Sequence, residues 1–267
     1  MQPRQQVAVA CMALKAGCPC IGVCRPSLQV RFWYNASPFE DFNATDFPMH
    51  SDNLKPCDWG RVSEITRRYH DEEWGMPVRD DRRQFEYLMM EVMQCGLSWD
   101  LMMKKRETFR ATFDRFDFDK IAAYGEDDVK QILAHDGMIR SRRKVEAVIR
   151  NARMFIEVRR AFGSFTKYIW GFSDDKTILY DRHGKGLIPA SNGLSEAISA
   201  DLRRRGFKYL GPVTVYSHLQ ACGIVNDHLE TCPRYAVVNA ATEVVRKRRF
   251  RELGIVDFSR RTGQNIQ

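Results

Sequence analysis

From Cys57 onward the chain repeats one signal: apolar residues return every three or four positions, in "DRRQFEYLMMEVMQ", "SWDLMMKKRETFRATF", "DFDKIAAY", "EDDVKQILAHD", "RSRRKVEAVIRNARMFIEVRRAF" and "LSEAISADLRRRG". Alternating strand patterns are nearly absent, so the chain must bury its apolar surface by packing helix on helix. With 267 residues and 44% hydrophobic content it has enough of that surface for a full core. Three segments follow from the pattern. Residues 1–50 show no sustained period and read as a poorly structured extension, 51–240 as the helical domain, and 241–267 as a basic C-terminal helix ("VVRKRRFRE") and tail. "ILYDRHGKGLIPASNG" reads as a polar, Gly-rich loop between helices.

Lys and Arg number 42 against 34 Asp and Glu, a formal net charge of +8. That balance favours a polyanionic partner, nucleic acid first and an acidic membrane surface second. No apolar run approaches the roughly 20 residues that span a bilayer, and "VAVACMAL" is short for a signal-peptide core, which predicts a cytoplasmic protein. Of the eight cysteines, Cys11, Cys18, Cys20 and Cys24 crowd the first segment. Cys57, Cys95, Cys222 and Cys232 are scattered, as reduced thiols or metal ligands are.

Within the helical region three constellations carry chemistry. In the segment from Val129 to Arg153, a helix ends at His135 and Asp136, Gly137 supplies the positive backbone dihedral of a tight turn, Ile139 plugs the core, and a second helix starts among basic residues. This reads as a helix-hairpin-helix, whose amides face a phosphate while Arg140, Arg142, Arg143 and Lys144 surround it. The alternative is an ordinary helical hairpin with a solvated basic face. In "NDHLETCP", His228 and Cys232 stand four apart, a workable spacing for two ligands of one zinc, and Cys57 and His70 are candidates to complete a closed, structural site. Against that, a His and Cys at this spacing is commonly no more than surface and core. Trp59, Tyr69, Trp74 and Trp99 recur beside these polar residues, as either core or the walls of a site for a flat base. Glu91 falls at the edge of the stripe formed by Phe85, Leu88, Met89 and Val92, which predicts a half-buried carboxylate; Gly96 then breaks the helix, Ser98 caps the next one and Trp99 stands in its first turn.

"CDW" followed by "YHDEEWG", then Glu91-x-x-Gln94-x-"GLSW" with "KRETFR", then "GMIR" and finally "CGIVNDHLETCPRY" resemble, in this order and from Cys57 to Tyr235, the 3-methyladenine DNA glycosylase I family. The resemblance implies an all-α, helix-hairpin-helix glycosylase-like bundle with a structural zinc, held by Cys57, His70, His228 and Cys232, tying the two ends of the domain. It implies that Glu91 meets the edge of a flipped base and that Trp59, Tyr69 and Trp99 surround it. The implied activity is release of 3-methyladenine from alkylated double-stranded DNA by a monomer, leaving an abasic site.

The chemistry is consistent with these residues. Methylation at a ring nitrogen makes the base cationic, so aromatic faces gain a cation–π attraction that adenine lacks. A cationic base is also a good leaving group, and "KVEAVIRNARMF" after the hairpin offers no aspartate of the kind that relatives acting on neutral bases use there. One departure stands out: the family commonly has an aromatic residue where this chain has Thr66, which predicts a more open pocket. That departure keeps alive a reading as a non-catalytic, damage-sensing DNA-binding module, and charge alone supports an RNA-binding one.

Overall fold

The computed structural model describes residues 54–247. The expectations for the N-terminal extension, including its four cysteines, and for the tail beyond Lys247 fall outside them. Ten α-helices are present among the described residues: α1 (Glu64–Glu72), α2 (Asp81–Gln94), α3 (Trp99–Thr112), α4 (Phe118–Ala122), α5 (Glu126–Ala134), α6 (Arg142–Phe162), α7 (Phe165–Trp170), α8 (Gly193–Arg204), α9 (Pro212–Ala221) and α10 (Pro233–Ala240). Their starts follow local chemistry. Ser63, Asp80, Ser98, Asp117 and Ser164 each accept an amide of the following first turn, and Pro212 and Pro233 occupy first-turn positions where the missing N–H costs nothing.

Helix α2 lies at the centre. Phe85, Leu88, Met89, Met90, Val92 and Met93 are all within 1% of complete burial, and α3, α6, α7 and α9 pack around them. The outer end of the bundle is filled by a ring cluster in which Phe155 stacks on Phe165 at 4.2 Å between centroids. A buried ion network ties the near end. Arg106 of α3 grips Glu73 at 2.7 and 2.9 Å and Glu86 of α2 at 2.7 Å, and the Tyr87 hydroxyl donates to Glu73 at 2.9 Å. Removing one member of such a network leaves a buried charge unpaired, so the "KRETFR" motif has a structural use.

Two segments depart from the all-helical expectation. Thr177–Tyr180, at the start of the expected Gly-rich loop, forms strand β1, and Val244–Lys247, expected as helix, forms strand β2. They pair in parallel, Thr177 with Val244 through Tyr180 with Lys247. All four residues of β1 are buried, and β-branched Thr177, Ile178, Val244 and Val245 suit the pleat. Four-residue strands are too short to show an alternation, and their partners lie far apart in sequence.

His218 of α9 is fully buried, and neither ring nitrogen has a hydrogen-bond partner among the described residues. Burial lowers its pKa from 6.5 to about 3. The folded chain therefore stays neutral at a pH where the unfolded chain takes up a proton, and stability is lost as pH falls below about 6.5. His218→Leu should raise stability at pH 7 by about 1–3 kcal/mol, because two unsatisfied nitrogens are removed. It should also remove about 2 kcal/mol of the wild-type loss between pH 6.5 and 5. Thermal unfolding of both chains across that range measures the two effects.

Candidate functional site

Beside α2 the helices leave a cavity of about 330 Å³, lined by Trp59, Tyr69, Trp74, Glu91, Gln94 and Trp99 together with Ile188, Ser217 and Gln220. The aromatic rings form a box: Trp59 meets Trp74 edge-on at 4.8 Å between centroids, and Tyr69 leans on Trp99 at 5.3 Å. Trp59 comes from a short 3-10 turn at Asp58–Arg61 and Trp74 from the turn after α1, while capped helices set the other two walls. Tyr69 projects from α1, and Trp99 opens α3 directly after its Ser98 cap.

Glu91 is only 5% exposed, deeper than the half-buried position its place on the stripe predicts, because α2 is enclosed on nearly every side. No donor reaches its side chain among the described residues, and burial alone pushes its carboxyl up to about 8. The Tyr69 hydroxyl likewise has no described hydrogen bond, and burial raises it well above its ordinary value. The indole N–H of Trp99 is buried without a partner among the described residues. An unpaired acid and an unpaired N–H therefore border one aromatic cavity, an arrangement that costs stability unless a ligand supplies their partners.

Thr66 does not open this cavity. It is 2% exposed, and its hydroxyl donates to Asp100 at 3.1 Å, beside the Ser63 hydroxyl, which donates to the same carboxylate oxygen. The polar latch joins α1 to the first turn of α3, one residue from Trp99. Trp74, read from the sequence as either core or wall, is a wall, whereas Gln94, Ile188, Ser217 and Gln220 are lining residues that sequence reasoning did not place. Ser217 and Gln220 lie on α9, and only its packing against α2 brings them here.

Directly behind the aromatic box, Cys57, His70, His228 and Cys232 converge, all buried, with one ligand atom from each lying within 4.8 Å of the others. Cys57 Sγ is 3.7 Å from His228 Nδ1, and Cys232 Sγ is 3.6 Å from both His70 Nε2 and His228 Nδ1. Tetrahedral coordination with bonds of about 2.0–2.3 Å requires ligand separations of about 3.3–3.8 Å, a range these three distances meet, so the donor set suits a metal ion. The remaining ring nitrogens are held from outside, His70 Nδ1 by Asp71 at 2.7 Å and His228 Nε2 by the Trp74 carbonyl at 3.0 Å, which fixes both ring orientations. Contact with Cys57, and then with the two imidazoles, lowers the Cys232 thiol, so the cluster favours a thiolate there. The box and the cluster touch: Trp59 lies 5.3 Å from the His70 ring and Trp74 4.5 Å from that of His228.

The hairpin between α5 and α6 has the expected turn, with Gly137 at φ +80° and Met138 rather than Ile139 as its buried plug. The amides of Gly137, Ile139 and Arg140 donate to no group among the described residues. Arg140 and Arg143 are exposed and make no described ion pair. The other two basic residues behave differently. Arg142 pairs with Glu126 at 2.8 Å and Glu146 at 3.3 Å. Lys144, expected on the phosphate-facing surface, is 8% exposed and donates to the carbonyls of Met93 and Cys95, each at 2.7 Å. Those carbonyls are the orphan acceptors at the end of α2, and an ammonium there satisfies them and complements the helix dipole.

Comparison with known proteins agrees with this geometry. Residues 59–235 match the family described as methyladenine glycosylase. The chain is 38% identical over 182 residues to DNA-3-methyladenine glycosylase 1 of Escherichia coli, covering 68% of this chain and 97% of that protein. Among solved structures it resembles a crystal structure of 3-methyladenine DNA glycosylase I, with a TM-score of 0.64, 41% identity, and coverage of 67% of this chain and 98% of that one. It also resembles the Staphylococcus aureus enzyme solved to explain 3-methyladenine recognition, with a TM-score of 0.63, 32% identity, and coverage of 66% and 94%. The aromatic cavity with its buried acid, the metal-fitting cluster, their order along the chain and these likenesses converge, and the chain belongs to the methyladenine glycosylase family.

Proposed function

We propose that this chain is a monofunctional DNA-3-methyladenine glycosylase, which flips the methylated nucleotide out of double-stranded DNA, hydrolyses its N-glycosidic bond and leaves an abasic site. The observation that carries the reading is Glu91: a carboxyl without a partner among the described residues, deep in an aromatic cavity, built at a cost to stability. A cationic base entering the box meets the faces of Trp59, Tyr69 and Trp99 and favours the ionised form of Glu91, which accepts from the exocyclic amine. Neutral adenine brings no charge to offset the burial of a carboxylate, so discrimination follows from charge. The leaving group is already activated, and binding and extrusion supply much of the catalysis.

Cys57, His70, His228 and Cys232 are the residues that would hold a zinc ion. With four protein ligands it would be structural, fastening the residues before α1 to those before α10 and steadying Trp59 and Trp74. The hairpin amides with Arg140 and Arg143 would take the DNA backbone. Arg142 would join them only by giving up its glutamates, and Lys144 serves the fold. The enzyme is taken to act as a monomer, through the domain of residues 51–240. The binding-only reading rested on Thr66 in the pocket, and Thr66 lies in the latch instead.

Three sets of variants test these assignments. Glu91→Gln should slow base release by about 10- to 100-fold, the loss of one charge-assisted hydrogen bond of about 1.5–3 kcal/mol. It should also stabilise the fold at high pH. The folded carboxyl titrates near 8 rather than 4.5, so wild-type stability falls as pH rises between those values, and the glutamine removes that loss. Thermal unfolding should therefore show the variant ahead of wild type by about 2–4 kcal/mol at pH 8.5, with little difference at pH 4.5. A variant that is less stable at pH 8.5 and releases base normally would mark Glu91 as a fold residue. Metal analysis of the purified chain should find one zinc ion per chain, and Cys232→Ser should lose it together with several kcal/mol of stability. Arg140→Ala with Arg143→Ala should weaken binding to damaged and undamaged duplexes alike and flatten the salt dependence by about two phosphate contacts, as titrations at several salt concentrations will read.

A further inference from the structure

The segment that follows β1, residues 181–189, takes no part in the chemistry above, yet it is fastened with care beside the cavity. His183 Nδ1 lies 2.8 Å from a carboxylate oxygen of buried Asp227, whose other oxygen accepts from the Tyr216 hydroxyl at 2.5 Å and from Gln220 at 2.8 Å. The Glu230 amide donates to the Gly184 carbonyl at 2.7 Å. The approach there is so close that a Cβ on Gly184 would stand 2.6 Å from Glu230 Cγ. A loop held at both side chain and backbone is a fixed surface, and what it presents is unusual for solvent: Leu187 is 55% exposed and Ile188 38% exposed. Ile188 lines the same cavity as Glu91 and Trp99. Arg182 and Lys185, on the same loop, are exposed and make no described ion pair.

We propose that residues 181–189 form a second lip of the base pocket, on which Ile188 closes the wall while Leu187 packs against the duplex where the flipped nucleotide leaves its stack. The inference rests on the glycosylase reading and extends it to a part of the chain that carries no recognition motif. A nucleotide entering the cavity passes this lip, and the gap it leaves exposes apolar base faces. An apolar side chain held rigidly at the mouth offsets that loss of stacking, as wedge residues do in minor-groove binders. Neighbouring cations suit the phosphates of the same strand. A protein partner would have no reason to be sited at the entrance to a cavity of base size.

The test uses Leu187→Ala and the conservative Leu187→Met in the full chain, with folding checked by circular dichroism. Each is assayed for release of 3-methyladenine from methylated duplex, for binding of free 3-methyladenine, and for fluorescence of 2-aminopurine placed next to an abasic-site analogue. Leu187→Ala should lower duplex release at least fivefold and blunt the 2-aminopurine response, while binding of the free base stays within twofold of wild type and Leu187→Met stays near wild type in all three. Unimpaired duplex release by a folded Leu187→Ala, or a matching loss of free-base binding, overturns the proposal. A wild-type chain that releases no methylated base overturns the glycosylase reading and this inference with it, whereas an active wild type confines any failure to the lip.

Discussion

Burial of α2 on nearly all sides is the constraint on which the rest of the molecule depends. A helix enclosed by α3, α6, α7 and α9 can hold a carboxyl in low dielectric, and Glu91, 5% exposed, faces the cavity with no described counter-charge. The cost of that burial appears as a carboxyl raised to about 8. The fold tolerates it because the surrounding contacts are dense and apolar, and because the polar ends of the same helix are satisfied elsewhere. Asp80 caps its start, and the Lys144 ammonium takes the Met93 and Cys95 carbonyls at its end. A buried acid with no described partner, set in the wall of a cavity, is the pattern expected of a site built for a ligand rather than for stability.

The cavity's aromatic walls are supported from two directions. On one side the cluster of Cys57, His70, His228 and Cys232 lies against Trp59 and Trp74, and the Trp74 carbonyl itself orients His228. On the other side the Ser63, Thr66 and Asp100 latch joins α1, which carries Tyr69, to α3, which opens with Trp99. At Thr66 the chain places a hydroxyl and gives it a carboxylate to meet. Hydrogen bonds rather than ring packing hold the two helices there, and the rings of Tyr69 and Trp99 stand 5.3 Å apart.

Charge on the hairpin divides by the same logic. Four basic residues in a row of five, Arg140, Arg142, Arg143 and Lys144, look equivalent as text. Folding separates them by direction at the start of α6 and just before it: two face solvent with no ion pair among the described residues, one meets glutamates of α5 and α6, and one reaches back into the core. Only the unpaired pair adds to the field felt by a polyanion at no cost in broken ion pairs.

The helical class, the helix limits near Asp81 and Ser98, the hairpin turn at Gly137 and one pair of the metal cluster could be read from the chain itself, because each rests on local signals: a three-and-four period, a capping side chain, a glycine at positive φ, a spacing of four between His228 and Cys232. What the tertiary structure alone decided is everything that depends on which distant segments meet. The β1–β2 pairing joins residues 67 apart along the chain, Thr177 with Val244. Ser217, Gln220 and Ile188 reach the cavity from a helix and a loop with no motif, Thr66 is turned into a latch instead of a gap, and Lys144 is drawn inward. A sequence records residue types and local periods, whereas burial and the pairing of polar groups are set by the packing of elements whose order along the chain says little about their neighbours in space.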